Sequence, residues 1–343
     1  MKIGIVGPTG AGKSLVFSSL TGIDLSQQSV RSETLGVVQV PDTRLDKLSA
    51  MYNPKKTTPA EITFVDLGSA TSSAQKLSAL TGALSDADAL AVVVGGFNSE
   101  RPVDGLESFL LDLVLADLSV VENRLERIAQ DLQRGKKESQ AEEPLMRRLQ
   151  ETLAGGGRVD GMQFTPEEQK ALRGYQFATL KPAVVVANVA EEQLGNGVSE
   201  ALRLAAVEHG LGAIELCAPL EVEISQLPPD DRVAFLGEYG LEDAARDRFV
   251  RTAYDLTSLI SFFTVGPDEV RAWSIRRGTL APAAAGKIHS DIERGFIRAE
   301  VVAYDDLMEA GSHQECRSRG KVRLEGKTYE VRDGDVIDFR FAV

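Results

Sequence analysis

Five short apolar runs stand apart along the chain: Ile3-Gly4-Ile5-Val6, Ile62-Thr63-Phe64-Val65, Ala89 to Val94, Ala183 to Ala187 and Ala213 to Leu216. Each is shorter than a typical helix, rich in β-branched residues and separated from the next by a helix-length segment. Strands buried on both faces of a parallel sheet have this pattern. The runs predict an α/β fold on a doubly wound, mostly parallel sheet, with ligand chemistry at the carboxyl ends of the strands.

Between about Leu111 and Tyr175 the alternation stops. Leu111, Val114, Leu118, Val121, Leu125, Ile128 and Leu132 recur at spacings of three and four, a heptad seam that needs a partner helix. The charged stretch Arg134 to Glu143 reads as a turn or a solvated helix face, and a second helix follows from about Pro144 to Leu153. Gly155-Gly156-Gly157 breaks it, and Thr165-Pro166-Glu167-Glu168 has the form of a capping box at a new helix start. An inserted helical hairpin is predicted, either as structural support or as a docking arm. Beyond roughly Thr264, Thr328-Tyr329-Glu330-Val331 and Val336-Ile337-Asp338-Phe339 alternate around Asp333-Gly334-Asp335, and Lys321 to Leu324 leads into the turn Glu325-Gly326-Lys327. These short strands predict a small α+β domain.

At 343 residues, 43% hydrophobic and 26% charged, the chain has room for two or three domains with cores of their own. The first strand follows Met1-Lys2 at once and no apolar run reaches the length of a membrane span, so a cytoplasmic protein without a membrane partner is expected. Cys217 and Cys316 are far apart and His209, His289 and His313 are scattered, which argues against a disulfide framework, a zinc site or a Ser-His-Asp hydrolase. The net charge of −13 argues against indiscriminate coating of nucleic acid, and DNA is not an expected partner. From Gly266 to Val343, however, 13 Lys and Arg stand against 14 Asp and Glu, so this part can present a local basic face.

The first apolar run leads into Gly7-Pro8-Thr9-Gly10-Ala11-Gly12-Lys13-Ser14, a complete G-x-x-x-x-G-K-S phosphate loop on a strand-to-helix turn. Its glycines let backbone N–H groups converge on phosphate oxygens, and the following helix, from Lys13 through Leu15, adds the positive end of its dipole. Lys13 is expected on the β- and γ-phosphates and Ser14 on Mg²⁺. After the run 62–65 comes Asp66-Leu67-Gly68-Ser69, where Asp66 is placed to hold Mg²⁺ through water. Ser69 stands where a glycine would meet the γ-phosphate, and Ala70 where many GTPases carry a water-orienting glutamine. After the run 183–187 the sequence reads Asn188-Val189-Ala190-Glu191 in place of the guanine-reading Asn-Lys-x-Asp, so guanine selectivity is expected to be weakened.

With these motifs the chain resembles the YchF family of Obg-like ATPases over essentially its whole length. The most specific stretch is Leu259-Ile260-Ser261-Phe262-Phe263-Thr264-Val265-Gly266-Pro267-Asp268-Glu269-Val270-Arg271-Ala272-Trp273, continued from Ala284 to Val301; Val40 to Leu45, Asn53 to Lys56 and Ala187 to Val189 agree as well. The resemblance implies a GTPase-like domain over 1–110 and 178–264, a hairpin over 111–177, and a C-terminal TGS domain of ubiquitin-like shape over 265–343. It implies ATP in preference to GTP, Mg²⁺, and the ribosome or ribosomal RNA as partner of a chain expected to be monomeric. It places Cys217-Ala218-Pro219-Leu220-Glu221 against the base, with cysteine where the family has serine. Cys217 reads first as a small buried strand-end residue and second as a redox switch.

The nucleotide-binding set is then Gly7, Pro8, Thr9, Gly10, Ala11, Gly12, Lys13, Ser14, Leu15, Asn188, Val189, Glu191, Cys217, Ala218 and Pro219, with Ser14 and Asp66 for the metal and Lys13 and Asp66 for catalysis. The chain departs from the family at both switches. Ser69 to Lys76 lacks the glycine-rich continuation, and Val30 falls where a threonine completes the metal shell, with Ser29, Ser32 or Thr34 as substitutes in another register. An ATP-binding regulator of translation with slow hydrolysis is the leading expectation; a non-hydrolysing adaptor and a GTPase remain open. For an RNA contact the candidates are Arg276, Arg277, Lys287, Arg294, Arg298, Arg317, Arg319 and Lys321, set against a solvated, charge-balanced surface.

Overall fold

The computed structural model describes residues 1–24, 34–66, 82, 84–96, 102–135, 141–194, 200–238 and 244–342. The chain divides into two compact units, Met1–Val37 with Thr63–Arg248, and Val38–Ile62 with Phe249–Val343.

The first unit carries β1 (Lys2–Val6), α1 (Lys13–Thr21), β4 (Glu61–Asp66), β5 (Ala89–Gly95), β6 (Ala183–Asn188) and β7 (Gly212–Leu216). With β2 (Thr34–Gln39) at its edge, this sheet runs β2-β4-β1-β5-β6-β7. From β4 to β7 every pairing is parallel. The order reverses at β1, so the crevice at its carboxyl end lies between connections that leave in opposite directions. Ile3, Ile5, Phe64, Val92, Val93, Val185 and Val186 are all within 1% of full burial, and each such side chain contributes about 1.5–3 kcal/mol by leaving water. All five apolar runs are strands of this sheet.

The remaining helices are α2 (Thr43–Tyr52), α3 (Pro102–Gln133), α4 (Glu143–Ala154), α5 (Pro166–Leu172), α6 (Glu200–Glu208), α7 (Ala218–Gln226), α8 (Pro229–Glu238), α9 (Ala245–Leu256), α10 (Ala281–Ile288), α11 (Ser290–Arg294), α12 (Tyr304–Ala310) and α13 (His313–Ser318). The heptad seam is one continuous 32-residue helix, α3, packed on α4. Val114, Val121 and Ile128 are buried there with Met146, Leu149 and Leu153. Leu111 departs from the expectation: it is 50% exposed, because at that level α3 turns Leu106, Phe109, Leu110 and Leu113 towards the first sheet. Both halves of the capping box at Thr165 and Glu168 are made. The described ends of the charged stretch, 134–135 and 141–142, are turns, and half-buried Glu142 accepts from Arg124 Nη2 at 2.5 Å and from the Tyr175 hydroxyl. Midway along α3, Asp117 is fully buried and accepts from Ala178 N (2.9 Å), Thr179 N (2.8 Å) and Thr179 Oγ1 (2.7 Å).

The second unit is built on β3 (Lys56–Thr58), β8 (Leu259–Thr264), β9 (Glu269–Arg276), β10 (Phe296–Ala303), β11 (Arg323–Glu325) and β12 (Asp335–Phe341), in the order β11-β10-β12-β8-β9-β3. Residues 328–331 do not form the expected strand. They make a single bridge, Leu280 to Glu330, because the partner segment turns into α10 at Ala281 and the ladder ends there. The core joins Ile260, Phe262, Ile275, Ala284, Ala285, Val301 and Ile337.

Candidate functional site

The loop after β1 closes on itself. Gly7 has φ +139° and packs so tightly on β5 that a Cβ would lie 2.1 Å from the carbonyl oxygen of Val93. Gly12 has φ +84° and stands directly before α1, whose first turn has neither an acidic residue nor a side-chain cap. The positive end of the helix therefore faces the loop without an internal counter-charge. Lys13 Nζ donates to Gly7 O at 3.0 Å and to Pro8 O at 2.8 Å, which draws the ammonium across the loop. Burial lowers its pKa, and the nearby Asp66 carboxylate opposes that shift. Asp66 ends β4, 4% exposed and in register with Ile5 of β1.

Ser14 and Leu15 are exposed on the first turn of α1, while Thr9 and Gly10 form the outer bend of the loop. Ser14 and Leu15 open onto a cleft of about 540 Å³ that Ser18, Ile23, Val222 and Ser225 also line.

The motif after β6 lies on the same side of the sheet. Asn188, 1% exposed, donates through Nδ2 to Ala11 O at 3.1 Å, and its Oδ1 accepts from Ala218 N at 3.2 Å. Its carboxamide thereby ties the phosphate loop to the β7–α7 turn. Val189 N donates to Leu216 O at 2.9 Å, and Glu191 opens an exposed 3-10 turn, Glu191–Gln193. Cys217 is buried directly before α7, with Pro219 in the first turn of that helix. Burial raises the Cys217 thiol pKa, and the charges of Glu191, Glu221 and Glu192 add to the shift. It is therefore a protonated, weakly nucleophilic thiol.

Sequence patterns missed two supports. Val93 sets its carbonyl against Gly7, and Gly105 of α3 approaches the ring of Pro8 to 3.6 Å from where a Cβ would stand. Neither position carries a chemical side-chain signature. Gly68, Ser69, Ala70 and the stretch to Lys76, together with Ser29, Val30 and Ser32, lie outside the described residues; Thr34 begins β2. Of the basic set, Arg294 pairs with Asp291, Arg317 with Glu300 (2.9 Å), Arg319 with Glu315 (2.8 Å) and Lys321 with Asp306 (2.9 Å). Arg277, Lys287 and Arg298 form no ion pair among the described residues. No helix among the described residues is long and apolar enough to cross a membrane.

A family model for the C-terminal part of YchF GTPases, described as a protein of unknown function (DUF933), matches residues 259–342. The chain is 37% identical to the ribosome-binding ATPase YchF of Bacillus subtilis (strain 168), over 99% of each chain. It is 35% identical to the protein of that name from Escherichia coli O157:H7, over 100% of this chain and 99% of the relative. The solved structure of the Schizosaccharomyces pombe YchF GTPase superposes with a TM-score of 0.86 at 25% identity, covering 99% of this chain and 97% of that one. The loop at Gly7–Ser14, the C-terminal match and the full-length identity agree: the chain belongs to the YchF family.

Proposed function

We propose that this protein binds ATP with Mg²⁺, hydrolyses it slowly, and acts as a nucleotide-dependent, ribosome-associated regulator. The observation that carries the reading is the Lys13 ammonium drawn across a loop whose flanking helix has no acidic first turn, with Asp66 beside it. The curated relatives named ribosome-binding ATPase support the nucleotide and the partner. In this reading 1–110 and 178–264 form the nucleotide domain, 111–177 the hairpin and 265–343 a TGS domain, while residues 38–62 and 249–264 pack with the second of the two compact units.

The donors fit the group. Gly7 leaves the loop no room for a side chain, and Ser14 and Asp66 offer the hard oxygen ligands that Mg²⁺ prefers. When bound, Mg²⁺ neutralises charge that develops on the phosphates. Lys13 holds the β- and γ-phosphates, and the N–H groups of Gly10 to Leu15 cradle their oxygens. Asn188 fixes the loop against the turn at Ala218, while Val189, Glu191, Cys217, Ala218 and Pro219 border the base. Val189 and Glu191 replace the lysine and aspartate of a guanine-reading motif, which supports ATP over GTP. Ala70 supplies no group to orient a water, which supports slow turnover and keeps a non-hydrolysing adaptor as the second reading.

Calorimetry with Mg²⁺ and either ATP or GTP tests the binding. ATP is expected to bind more tightly, and Lys13→Ala to weaken it about 10- to 100-fold through the loss of charge-assisted hydrogen bonds. Equal affinity for GTP would overturn the nucleotide assignment. Lys13-dependent phosphate release separates a slow ATPase from an adaptor, and co-sedimentation with ribosomes with and without ATP tests the partner.

A further inference from the structure

The hairpin carries a cleft of its own. α3, the start of α4 and α5 border a volume of about 750 Å³, inside the range of about 300–1,000 Å³ that ligand sites occupy. Its lining runs from Arg124 to Tyr175, lies within the first unit and shares no residue with the nucleotide-binding set. Apolar surface comes from Leu145, from the exposed Ala171 and from Tyr175, whose ring stacks on Phe177 at 5.4 Å.

Five charged side chains line the same cleft, and three of them are already committed. Arg124 Nε and Nη2 donate to Glu142, at 3.2 and 2.5 Å, and the Tyr175 hydroxyl donates to the same carboxylate. Glu168 accepts from Arg148 Nη1 at 2.6 Å and, in the capping box, from Thr165 N at 2.9 Å. The other two are Arg127 and Glu167. Both are exposed, and neither forms an ion pair or a side-chain hydrogen bond among the described residues. Arg127 follows Arg124 by three residues, on the same face of α3, and Glu167 stands in the first turn of α5.

The cleft thus offers an uncommitted guanidinium on α3, an uncommitted carboxylate on α5, and apolar surface beside them. An occupant that complements it carries both signs of charge and an apolar group. A protein segment has all three. An RNA strand brings phosphate anions to a cleft lined by the carboxylates of Glu142, Glu167 and Glu168, and juxtaposed like charges select against a partner.

We propose that this cleft docks a protein segment of the ribosome: an acidic side chain meets Arg127, a basic or amide side chain meets Glu167, and an apolar side chain packs on Ala171 and Tyr175. This rests on the ribosome reading above and narrows it, since the hairpin then contacts ribosomal protein and not ribosomal RNA.

Photo-crosslinking on the full chain tests this. Protein with Ala171→p-benzoylphenylalanine is irradiated with salt-washed ribosomes, and unmodified protein is titrated against the same ribosomes by co-sedimentation. The expected crosslinked product survives ribonuclease, and mass spectrometry places the attachment on a ribosomal protein. Arg127→Glu is expected to lower its yield, and to raise the Kd of the otherwise unmodified chain, by up to about tenfold through loss of one charge-assisted contact. Arg173→Glu makes the same charge change at an exposed residue outside the cleft and is expected to leave both unchanged. A ribonuclease-sensitive product overturns the proposal in favour of RNA. Effects of Arg127→Glu that are absent, or equalled by Arg173→Glu, also overturn it. Co-sedimentation without any crosslink overturns the docking site and leaves the ribosome reading standing; failure of the unmodified chain to co-sediment overturns both.

Discussion

The sequence reads Asn188 as the retained asparagine of a base-reading motif, and both hydrogen bonds of its carboxamide hold main chain. One is in the phosphate loop and the other at the start of α7. Asn188→Ala is therefore expected to weaken inorganic triphosphate as well as ATP, each by up to about 30-fold, since two bonds worth about 1 kcal/mol each are lost. Loss confined to ATP, measured by calorimetry with both ligands, would return Asn188 to base reading. Gly7 was equally legible as a loop glycine, yet its strict requirement comes from Val93, a contact that no sequence pattern announces. Gly7→Ala is expected to cost about 3 kcal/mol by combining an unfavourable φ with a clash against main chain. Urea denaturation reads it.

At the scale of elements, five of the six strands of the first sheet were readable because burial leaves few polar positions in them; β2, at the edge with Leu35 and Val37 exposed, was not. The hairpin was readable from its period, with one limit. Leu111 continues the heptad by spacing, but α3 exchanges its partner from α4 to the sheet near that residue, and spacing carries no record of the partner. The segment 328–331 alternates like a strand because Tyr329 and Val331 pack inward, while the chain there bridges only at Glu330. Two substitutions rank the local devices that hold the hairpin. Asp117→Ala leaves three buried donors without their acceptor and is expected to cost about 3 kcal/mol. Thr165→Ala removes an exposed cap and is expected to cost about 1 kcal/mol. Denaturant midpoints at constant m check the order.

For the whole molecule, the second sheet was the least legible part, since its strands come from 56–58 and 259–341 and pair across long separations. Charge also has to be judged at this scale. Four of the eight basic candidates are already neutralised by neighbours, so Arg277→Ala/Lys287→Ala/Arg298→Ala is expected to reduce the salt slope of RNA binding by up to about 3. Arg294→Gln/Arg319→Gln/Lys321→Gln is expected to leave it nearly unchanged; equal effects would show that pairing does not decide the contact.

Alkaline pH probes both units. Tyr175 and Tyr329 are each pushed up to about 12, by burial first and then by hydrogen bonds to Glu142 and Asp335. The native state keeps these protons longer than the unfolded chain, so their contribution is intact below pH 10 and lost as the pH rises towards about 12. Tyr329→Phe is expected to make that fall in urea midpoint shallower.

The single tryptophan has a practical consequence. Trp273 lies on β9, stacked 6.3 Å from Phe262, under Arg271 at 4.1 Å, with its indole N–H bonded to Thr264 Oγ1 at 3.0 Å. The nucleotide-side unit has no indole, so fluorescence excited at the red edge of protein absorption comes from the second sheet alone. The molecule carries a built-in optical reporter for one of its two halves, with no label to attach.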